Sequence, residues 1–189
     1  MTSGTGTLTH ARYSRLSINR IGLWLFILSE SSIFAALLAV RFYLEGTSRP
    51  EAMNQTLGLI ITVILLLSSL TAYLAEAAIA RGDQAGFLRN TLATLILGAV
   101  FLAGVGIEWS QAFREFPPQS DFGRVFFAMT GMHAFHVVTG LILFCLLYFN
   151  GRRGAYSAES HWGAEAIVKY WHFVDVVWVF FYPALYLLS

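Results

Sequence analysis

The sequence is poor in charged residues and in cysteine. Only 12% of its 189 residues are Asp, Glu, Lys or Arg, the formal net charge is +1, and the single cysteine is Cys145. We expect the few arginines to be distributed between apolar runs and not gathered on one surface, which argues against a nucleic-acid-binding protein. One cysteine provides neither a disulfide framework nor a cysteine-based metal site within one chain.

Apolar residues dominate instead, at 57% of the sequence, and the mean hydropathy of +0.63 is typical of a membrane protein. About 20 apolar residues cross the hydrocarbon core of a bilayer, and five runs reach that length. They are 21–44, 57–80, 87–108, 125–150 and 167–188. Because backbone hydrogen bonds must close within each segment in lipid, the runs predict an all-α integral membrane bundle of five transmembrane helices over residues 20–189. A polar N-terminal segment, 1–19, precedes it.

The basic residues predict how the bundle is oriented. Eight of the 12 lysines and arginines lie on one side if the N-terminus is cytoplasmic, which places the C-terminus outside. The basic residues before the first apolar run resemble the positively charged n-region of a signal peptide. That run is too long for one and contains Glu30, so we expect an uncleaved helix.

Small residues in the third run predict where helices approach each other. Ala99 and Ala103 are four residues apart and therefore share a helix face. Gly98, Gly104 and Gly106 lie close by. We expect this group to contact a neighbouring helix.

Glu30 is an acidic residue inside the first apolar run, where a polar group requires a reason. It lies ten residues after Arg20, which is roughly 15 Å along a helix and near the bilayer midplane. A carboxylate facing lipid there is costly, so we expect Glu30 to face protein, with Ser29, Ser31 and Ser32 as candidate partners. Two roles remain open, a neutral acid bonded to another helix and a group involved in proton movement.

His133 and His136 are three residues apart in the fourth run and share one helix face. Packed or hydrogen-bonded histidines are the main interpretation. A metal site is the alternative, with Glu30 and His172 as further candidates. No cysteine or Glu-x-x-His pair supports that site.

The last run combines a histidine and an acid with tryptophans. His172 and Asp175 are three residues apart, which predicts a charge-assisted hydrogen bond that fixes the helix. Trp171, Asp175, Trp178 and Tyr182 fall on one stripe. Asp175 lies at a depth similar to that of Glu30, so the two acids are expected to approach each other or a common partner. No nucleophile lies near, which favours packing over catalysis.

The other charged residues are assigned to helix ends. Glu76 and Glu108 lie at the ends of the second and third runs, where a carboxylate reaches headgroups and water. Glu165 and Lys169 are four residues apart, in the order that favours a helical ion pair.

Three motifs resemble those of a known family. They are YWHFVDVVW at 170–178, GMHAFHV at 131–137 with Gly140, and WLFILSE at 24–30 with Phe34. The chain is similar, over about residues 20–188, to subunit III of the haem-copper respiratory oxidases, in the five-helix form of some bacterial enzymes. The two extra N-terminal helices of longer members are absent. Where many relatives have Ala-His-His near the end of the second helix, this chain has Ala-Glu-Ala at 75–77.

The resemblance implies a helper subunit in a bacterial cytoplasmic membrane. Such a subunit has no catalytic residue and binds no haem or copper, which belong to the catalytic subunit I beside it; subunit II is a second expected partner. It holds phospholipid in a cleft and sustains proton uptake and the working life of the oxidase. Glu30 is then expected on the side that faces the catalytic subunit, with Asp175 as a second proton-linked or docking residue. His133, His136, His172, Trp171 and Trp178 are expected to be buried structural residues.

Two other functions remain open, the first by resemblance to a related family and the second from the residues. One is the five-helix accessory protein of nitric oxide reductases, which has a similar length. The other is a small proton channel or transporter that uses Glu30, the histidines and Asp175 as a relay, although the sequence shows no discontinuous helices or inverted repeats. The electron donor of an oxidase, cytochrome c or quinol, also stays open.

Overall fold

The computed structural model describes residues 14–47, 50 and 54–188, and its ordered elements there are helical. The five α-helices are α1 (Arg15–Glu45), α2 (Gln55–Ala80), α3 (Gln84–Glu115), α4 (Asp121–Arg152) and α5 (Trp162–Tyr182), followed by a π-helical segment, Pro183–Leu187. The prediction of an all-α bundle of five helices is confirmed. Residues 1–13 of the predicted polar segment lie outside the described residues.

Several helices extend beyond the apolar runs that predicted them. The first run starts at residue 21, but α1 begins after Ser14, whose hydroxyl accepts a hydrogen bond from the Ser17 N–H. Helix α3 continues past residue 108 to Glu115, just before the Pro117–Pro118 pair. An apolar run marks the part of a helix suited to the hydrocarbon core, whereas the helix itself stops at a cap or a proline.

Four of the helices, α1 to α4, are long and apolar enough to cross a membrane. Helix α5 is not among them, because its 21 residues include Glu165, Lys169 and Asp175. Its chain stays helical beyond Tyr182 in a wider turn, in which the Leu188 N–H donates to the Pro183 carbonyl over 3.1 Å. The protein is therefore a multi-pass membrane bundle, and the helix that falls outside this set of four is also the central one.

Helix α5 is central because α1, α2 and α4 all pack against it. Its side chains Val168, Trp171 and Val174 are fully buried. Helices α2 and α3 form the most extensive pair, and α3 also packs on α4. Helix α1 is peripheral: its main contacts are with α4 and α5, and most of its surface faces outward.

Glycines allow the closest helix approaches. The Trp171 indole lies between Gly98 of α3 and Gly140 of α4, where an added Cβ would come within 2.9 and 2.6 Å of the ring. A Cβ on Gly104 would overlap the Ile61 side chain of α2. Without a hydrophobic driving force between helices in lipid, such close packing is a main source of association.

The prediction that Ala99 and Ala103 make a helix contact is wrong. Both are exposed on the outer face of α3, and a Cβ on Gly106 would meet nothing within 4 Å. Of the predicted group, only Gly98 and Gly104 face neighbouring helices. The partners of these two glycines are bulky, Trp171 for Gly98 and Ile61 for Gly104. Such side chains fit only where the opposite residue has no side chain.

We expect Gly140→Ala to lower the free energy of unfolding by about 1–3 kcal/mol, because the new methyl overlaps the Trp171 ring. Gly106→Ala is the matched control. Its methyl enters open space, so alanine's better helix propensity makes it neutral or stabilising by up to about 1 kcal/mol. Thermal unfolding in detergent, followed by circular dichroism, compares the two. Equal stabilities would contradict the close packing of Trp171.

Candidate functional site

Polar side chains on residues 55–69 of α2 join this helix to α5 and to the π-helical segment that follows it. Trp171 Nε1–H donates to Ser68 Oγ (3.0 Å) and Trp178 Nε1–H donates to Thr62 Oγ1 (2.9 Å). His172 Nδ1 and Ser69 Oγ share a hydrogen bond of 2.7 Å, and Gln55 Nε2–H donates to the Tyr186 carbonyl over 3.0 Å. We call this set the α2–α5 polar ladder. It fixes the register of the two helices, since a shift along either axis would break every bond together.

Asp175 lies at a gap in the ladder. It shares the helix face of Trp171 and Trp178, and the ladder register places Leu65 opposite it. Asp175 is 3% exposed, and neither of its carboxyl oxygens has a hydrogen-bond partner in the described part of the chain. An unpaired polar group of this kind destabilises a bundle. Within the described residues, the polar groups nearest to it are His172 of its own helix and the Ser69 hydroxyl of α2.

The predicted hydrogen bond between His172 and Asp175 is wrong. Their Nδ1 and Oδ2 atoms are 4.0 Å apart, beyond hydrogen-bond distance. Ser69 on α2 takes the position that the sequence assigned to Asp175. The expected approach of Asp175 to Glu30 is also absent among the described residues, because Asp175 faces α2 while Glu30 faces α4.

Glu30 and His136 form a contact between α1 and α4. Glu30 Oε2 lies 3.1 Å from His136 Nε2, and the side chains are 20% and 7% exposed. His136 Nδ1–H donates to the Met132 carbonyl over 2.8 Å. The bond at Nε2 then requires one proton, carried either by the carboxyl group or by the imidazole. The pair thus holds one shared proton at the edge of the bundle.

The serines next to Glu30 do not bond to it. The hydroxyls of Ser29, Ser31 and Ser32 donate instead to main-chain carbonyls three or four residues earlier in α1. That expectation is wrong because the helix backbone is nearer to each hydroxyl than the glutamate side chain, which extends towards α4.

His133 and His136 contact different helices. His133 Nε2–H donates to the Val174 carbonyl of α5 over 3.1 Å, and its ring centre lies 4.8 Å from that of Trp178. His136 bonds to Glu30 of α1. Within residues 14–47, 50 and 54–188, no three His, Cys, Asp or Glu side chains are grouped to hold a metal ion. The two histidines are hydrogen-bonded groups of the bundle.

Glu108 is a buried acid, although the apolar runs predict it at a helix end. It is 3% exposed, and Tyr186 Oη–H donates to its Oε2 over 2.6 Å. The assignment was wrong because α3 continues to Glu115, which places Glu108 well inside the helix. The signal was present, since Pro117 is the first helix-breaking residue after the third apolar run.

Charged residues tie α1 to α5 where both helices begin. Glu165 pairs with Lys169, as predicted, and also accepts a hydrogen bond from Arg20 over 3.2 Å. The Arg20 guanidinium lies 5.9 Å from the centre of the Trp162 ring. This network holds the start of the peripheral helix against the central one.

We expect Asp175→Val to leave the thermal stability of the chain unchanged or to raise it, because the substitution removes a buried carboxyl that has no partner. Trp178→Phe serves as the comparison, since it removes the hydrogen bond to Thr62 from the same face and should cost about 1–2 kcal/mol. Unfolding in detergent measures both. A loss for Asp175→Val as large as that for Trp178→Phe would show that Asp175 does stabilise the bundle.

Known proteins are similar in sequence to this chain over nearly its whole length. The chain matches the family model for cytochrome c oxidase subunit III over residues 2–189. It is 32% identical over 200 residues to the probable cytochrome c oxidase subunit 3 of Nocardia farcinica, with 98% of both chains covered. The cytochrome c oxidase subunit 3 of Thermostichus vulcanus is 32% identical, with 98% of this chain and 95% of the relative covered. That of Synechocystis sp. is 33% identical over 95% of this chain and 79% of the relative. The resemblance predicted from the three motifs is confirmed, and the chain belongs to the cytochrome c oxidase subunit III family.

Proposed function

We propose that this chain is the non-catalytic third subunit of a haem-copper terminal oxidase and supports oxygen reduction by the catalytic subunit during aerobic electron transport. Subunits I and II are its partners, and haem and copper belong to them. The observation that supports this proposal is that the motif residues form hydrogen bonds within the bundle. Trp171, Trp178, His133 and His136 direct their hydrogen-bonding groups at neighbouring helices of the same chain.

The Glu30–His136 pair supports a role in proton uptake. It holds one proton between α1 and α4, and the Glu30 side chain keeps 20% of its surface exposed. Helix α1 is the most open helix of the bundle, so a partner subunit can reach this pair from outside. In this proposal Glu30 docks the chain against the catalytic subunit and assists proton supply there.

A groove between α1 and α5 supports lipid binding. Two adjoining apolar cavities of about 410 and 300 Å³ open outward along the seam and share Ser31, Phe173 and Val176 as lining residues. Trp24 and Lys169 lie at one end, where an amphipathic ring and an ammonium group suit the interface. We assign the groove to a phospholipid acyl chain.

The orientation proposed is a cytoplasmic N-terminus and an external C-terminus in a bacterial cytoplasmic membrane. Support comes from the basic residues in the described part of the chain. Seven lie at the end of the bundle where α1 begins, namely Arg15, Arg20, Arg81, Arg89, Arg152, Arg153 and Lys169. Three lie at the other end, namely Arg41, Arg114 and Arg124. Such a bias favours the cytoplasm for the first end.

The electron donor we propose is cytochrome c, because the curated relatives are named cytochrome c oxidase subunits. The purified complex should then consume oxygen with reduced cytochrome c and not with a quinol. Activity with quinol alone would reverse this assignment without changing the role of the chain.

Comparison of the oxidase with and without this chain tests the helper role. We expect initial oxygen consumption to be largely retained without the chain, while proton uptake slows and activity declines sooner under continuous turnover. Complete loss of initial turnover in a complex that still assembles around its haem groups would indicate a catalytic role. Unchanged turnover, proton uptake and lifetime would remove the supporting role.

A further inference from the structure

The beginning of α1 packs only loosely on the bundle. Residues 15–26, all of which the structure describes, contain no buried side chain, and the first buried residue of α1 is Ile27. Cavities lie on both sides of this segment. One of about 410 Å³ is lined by Trp24 on the side of α5, and one of about 210 Å³ is lined by Leu23 and Phe26 on the side of α4. We call residues 15–26 the arm, and the space beside it allows the arm to tilt without overlapping a neighbouring helix.

Three serines lie where the arm joins the rest of α1. The hydroxyls of Ser29, Ser31 and Ser32 donate to the carbonyls of residues 26, 27 and 28, which are the last residue of the arm and the two that follow it. Each hydroxyl therefore competes with the helix backbone for a carbonyl of the same turn. Serines bonded in this way weaken a helix locally and often bend it. We call this turn the serine hinge.

Beyond the serine hinge, α1 is firmly attached. The Phe34 side chain is buried, and its ring centre lies 4.8 Å from that of His136 and 5.6 Å from that of Phe181. Glu30 bonds to His136 of α4. Further along, Arg41 is fully buried. A movement of α1 is therefore confined to the arm.

An ion pair connects the arm to α5. Arg20 donates to the Glu165 carboxylate over 3.2 Å, and its guanidinium lies 5.9 Å from the centre of the Trp162 ring. The Arg20 side chain is 56% exposed, and Glu165 also pairs with Lys169 of its own helix. Exposed ion pairs contribute little to stability and are screened by salt. We call the pair of Arg20 and Glu165 the latch, because it holds the arm and is easily broken.

We propose that the arm swings about the serine hinge between a latched position and an open position. In the latched position Arg20 binds Glu165, and in the open position this pair is broken and the arm lies towards α4. Opening moves Trp24 away from the groove between α1 and α5, which widens the end of the groove that Lys169 lines. The arm is thus a gate that admits a ligand to the groove and closes over it. That this ligand is an acyl chain rests on the proposed function, whereas the movement does not.

Distances between two spin labels, measured by pulsed electron paramagnetic resonance, test the swing in whichever assembly purifies with the chain. Cys145, which is exposed, is first replaced by alanine. Labels at Ile18→Cys and Ala80→Cys then connect the arm to the end of α2. Labels at Val40→Cys and Ile107→Cys connect the attached part of α1 to α3 and are the matched control. All four labelled positions are exposed.

For the arm we expect a main distance and a second, minor one, whose population grows at least about threefold in about 1 M salt because the latch is screened. Glu165→Gln should produce the same growth at low salt. Glu159→Gln, which changes an exposed acid in the connection before α5, should not. The control labels should keep one distance throughout. An arm distance that stays single in high salt and in Glu165→Gln would overturn the proposal, and so would an equal change at the control labels.

Alanine at the three serines tests the hinge. Ser29→Ala, Ser31→Ala and Ser32→Ala together remove the hydroxyls that compete for the helix carbonyls, so the second population seen with Glu165→Gln should fall at least about twofold. Ser110→Ala is the matched control, because its hydroxyl bonds in the same way to the carbonyl of residue 107 on α3. An unchanged population in the triple variant would overturn the swing about this hinge. Either failure leaves the oxidase assignment intact, because the subunits that co-purify test that assignment.

Discussion

Trp171→Ala should lower the free energy of unfolding by about 3–5 kcal/mol, the largest effect expected of any single substitution in the bundle. The indole is fully buried, lies between Gly98 and Gly140, and donates its N–H to Ser68. Truncation would leave a cavity where α2, α3, α4 and α5 meet, and the glycines on either side have no side chains to fill it. Unfolding in detergent, followed by circular dichroism, measures the loss.

Two further tryptophan variants divide this effect into its parts. Trp24→Ala is the matched control, since this ring is 58% exposed on α1 and should change stability little. Trp171→Phe keeps most of the ring volume and removes the bond to Ser68, so an intermediate loss is expected. If Trp171→Ala cost no more than Trp24→Ala, α5 would not be the centre of the bundle.

Glu30→Ala and His136→Ala should show strong coupling, because the residues share one proton across the α1–α4 contact. Each single substitution leaves a partly buried polar group unpaired, whereas the double substitution removes both. A double-mutant cycle of unfolding free energies is expected to give a coupling energy of about 1–3 kcal/mol. Additive losses would show that the 3.1 Å contact does not stabilise the protein.

Glu30→Gln separates docking from proton supply in the assembled oxidase. Glutamine keeps the shape of the acid and can donate an N–H to His136, but it cannot release a proton. We therefore expect near-normal stability and assembly, with slower proton uptake and a shorter active life. The assay is sustained oxygen consumption with simultaneous measurement of proton uptake. Normal proton uptake and lifetime in a stable Glu30→Gln complex would restrict Glu30 to a structural role.

The five helices were predictable because length and apolarity are properties of each segment by itself. The residues at which the helices begin and end were less predictable. Hydropathy locates the part of α3 suited to lipid, but the helix continues to Glu115 because no cap or proline stops it earlier. That difference moved Glu108 from the expected membrane surface into the interior, where it accepts a hydrogen bond from Tyr186.

The site was less predictable, because its bonds join residues that are far apart in the sequence. Spacing identified His172 and Asp175 as neighbours on one helix, yet His172 bonds to Ser69, 103 residues away. Glu30 was recognised as buried and in need of a partner, but only the packing of α1 on α4 identifies His136. Residue spacing within one helix does not give the register between two helices, and register decides both pairs.

The most direct test of the proposed function is to purify the chain with an affinity tag from its own membrane in mild detergent. The proposal predicts that a large subunit with a haem spectrum and bound copper co-purifies in a fixed ratio, and that the isolated chain carries no stoichiometric iron or copper. Purification of the chain without a haem-containing partner, or tightly bound iron or copper on the chain alone, would contradict it.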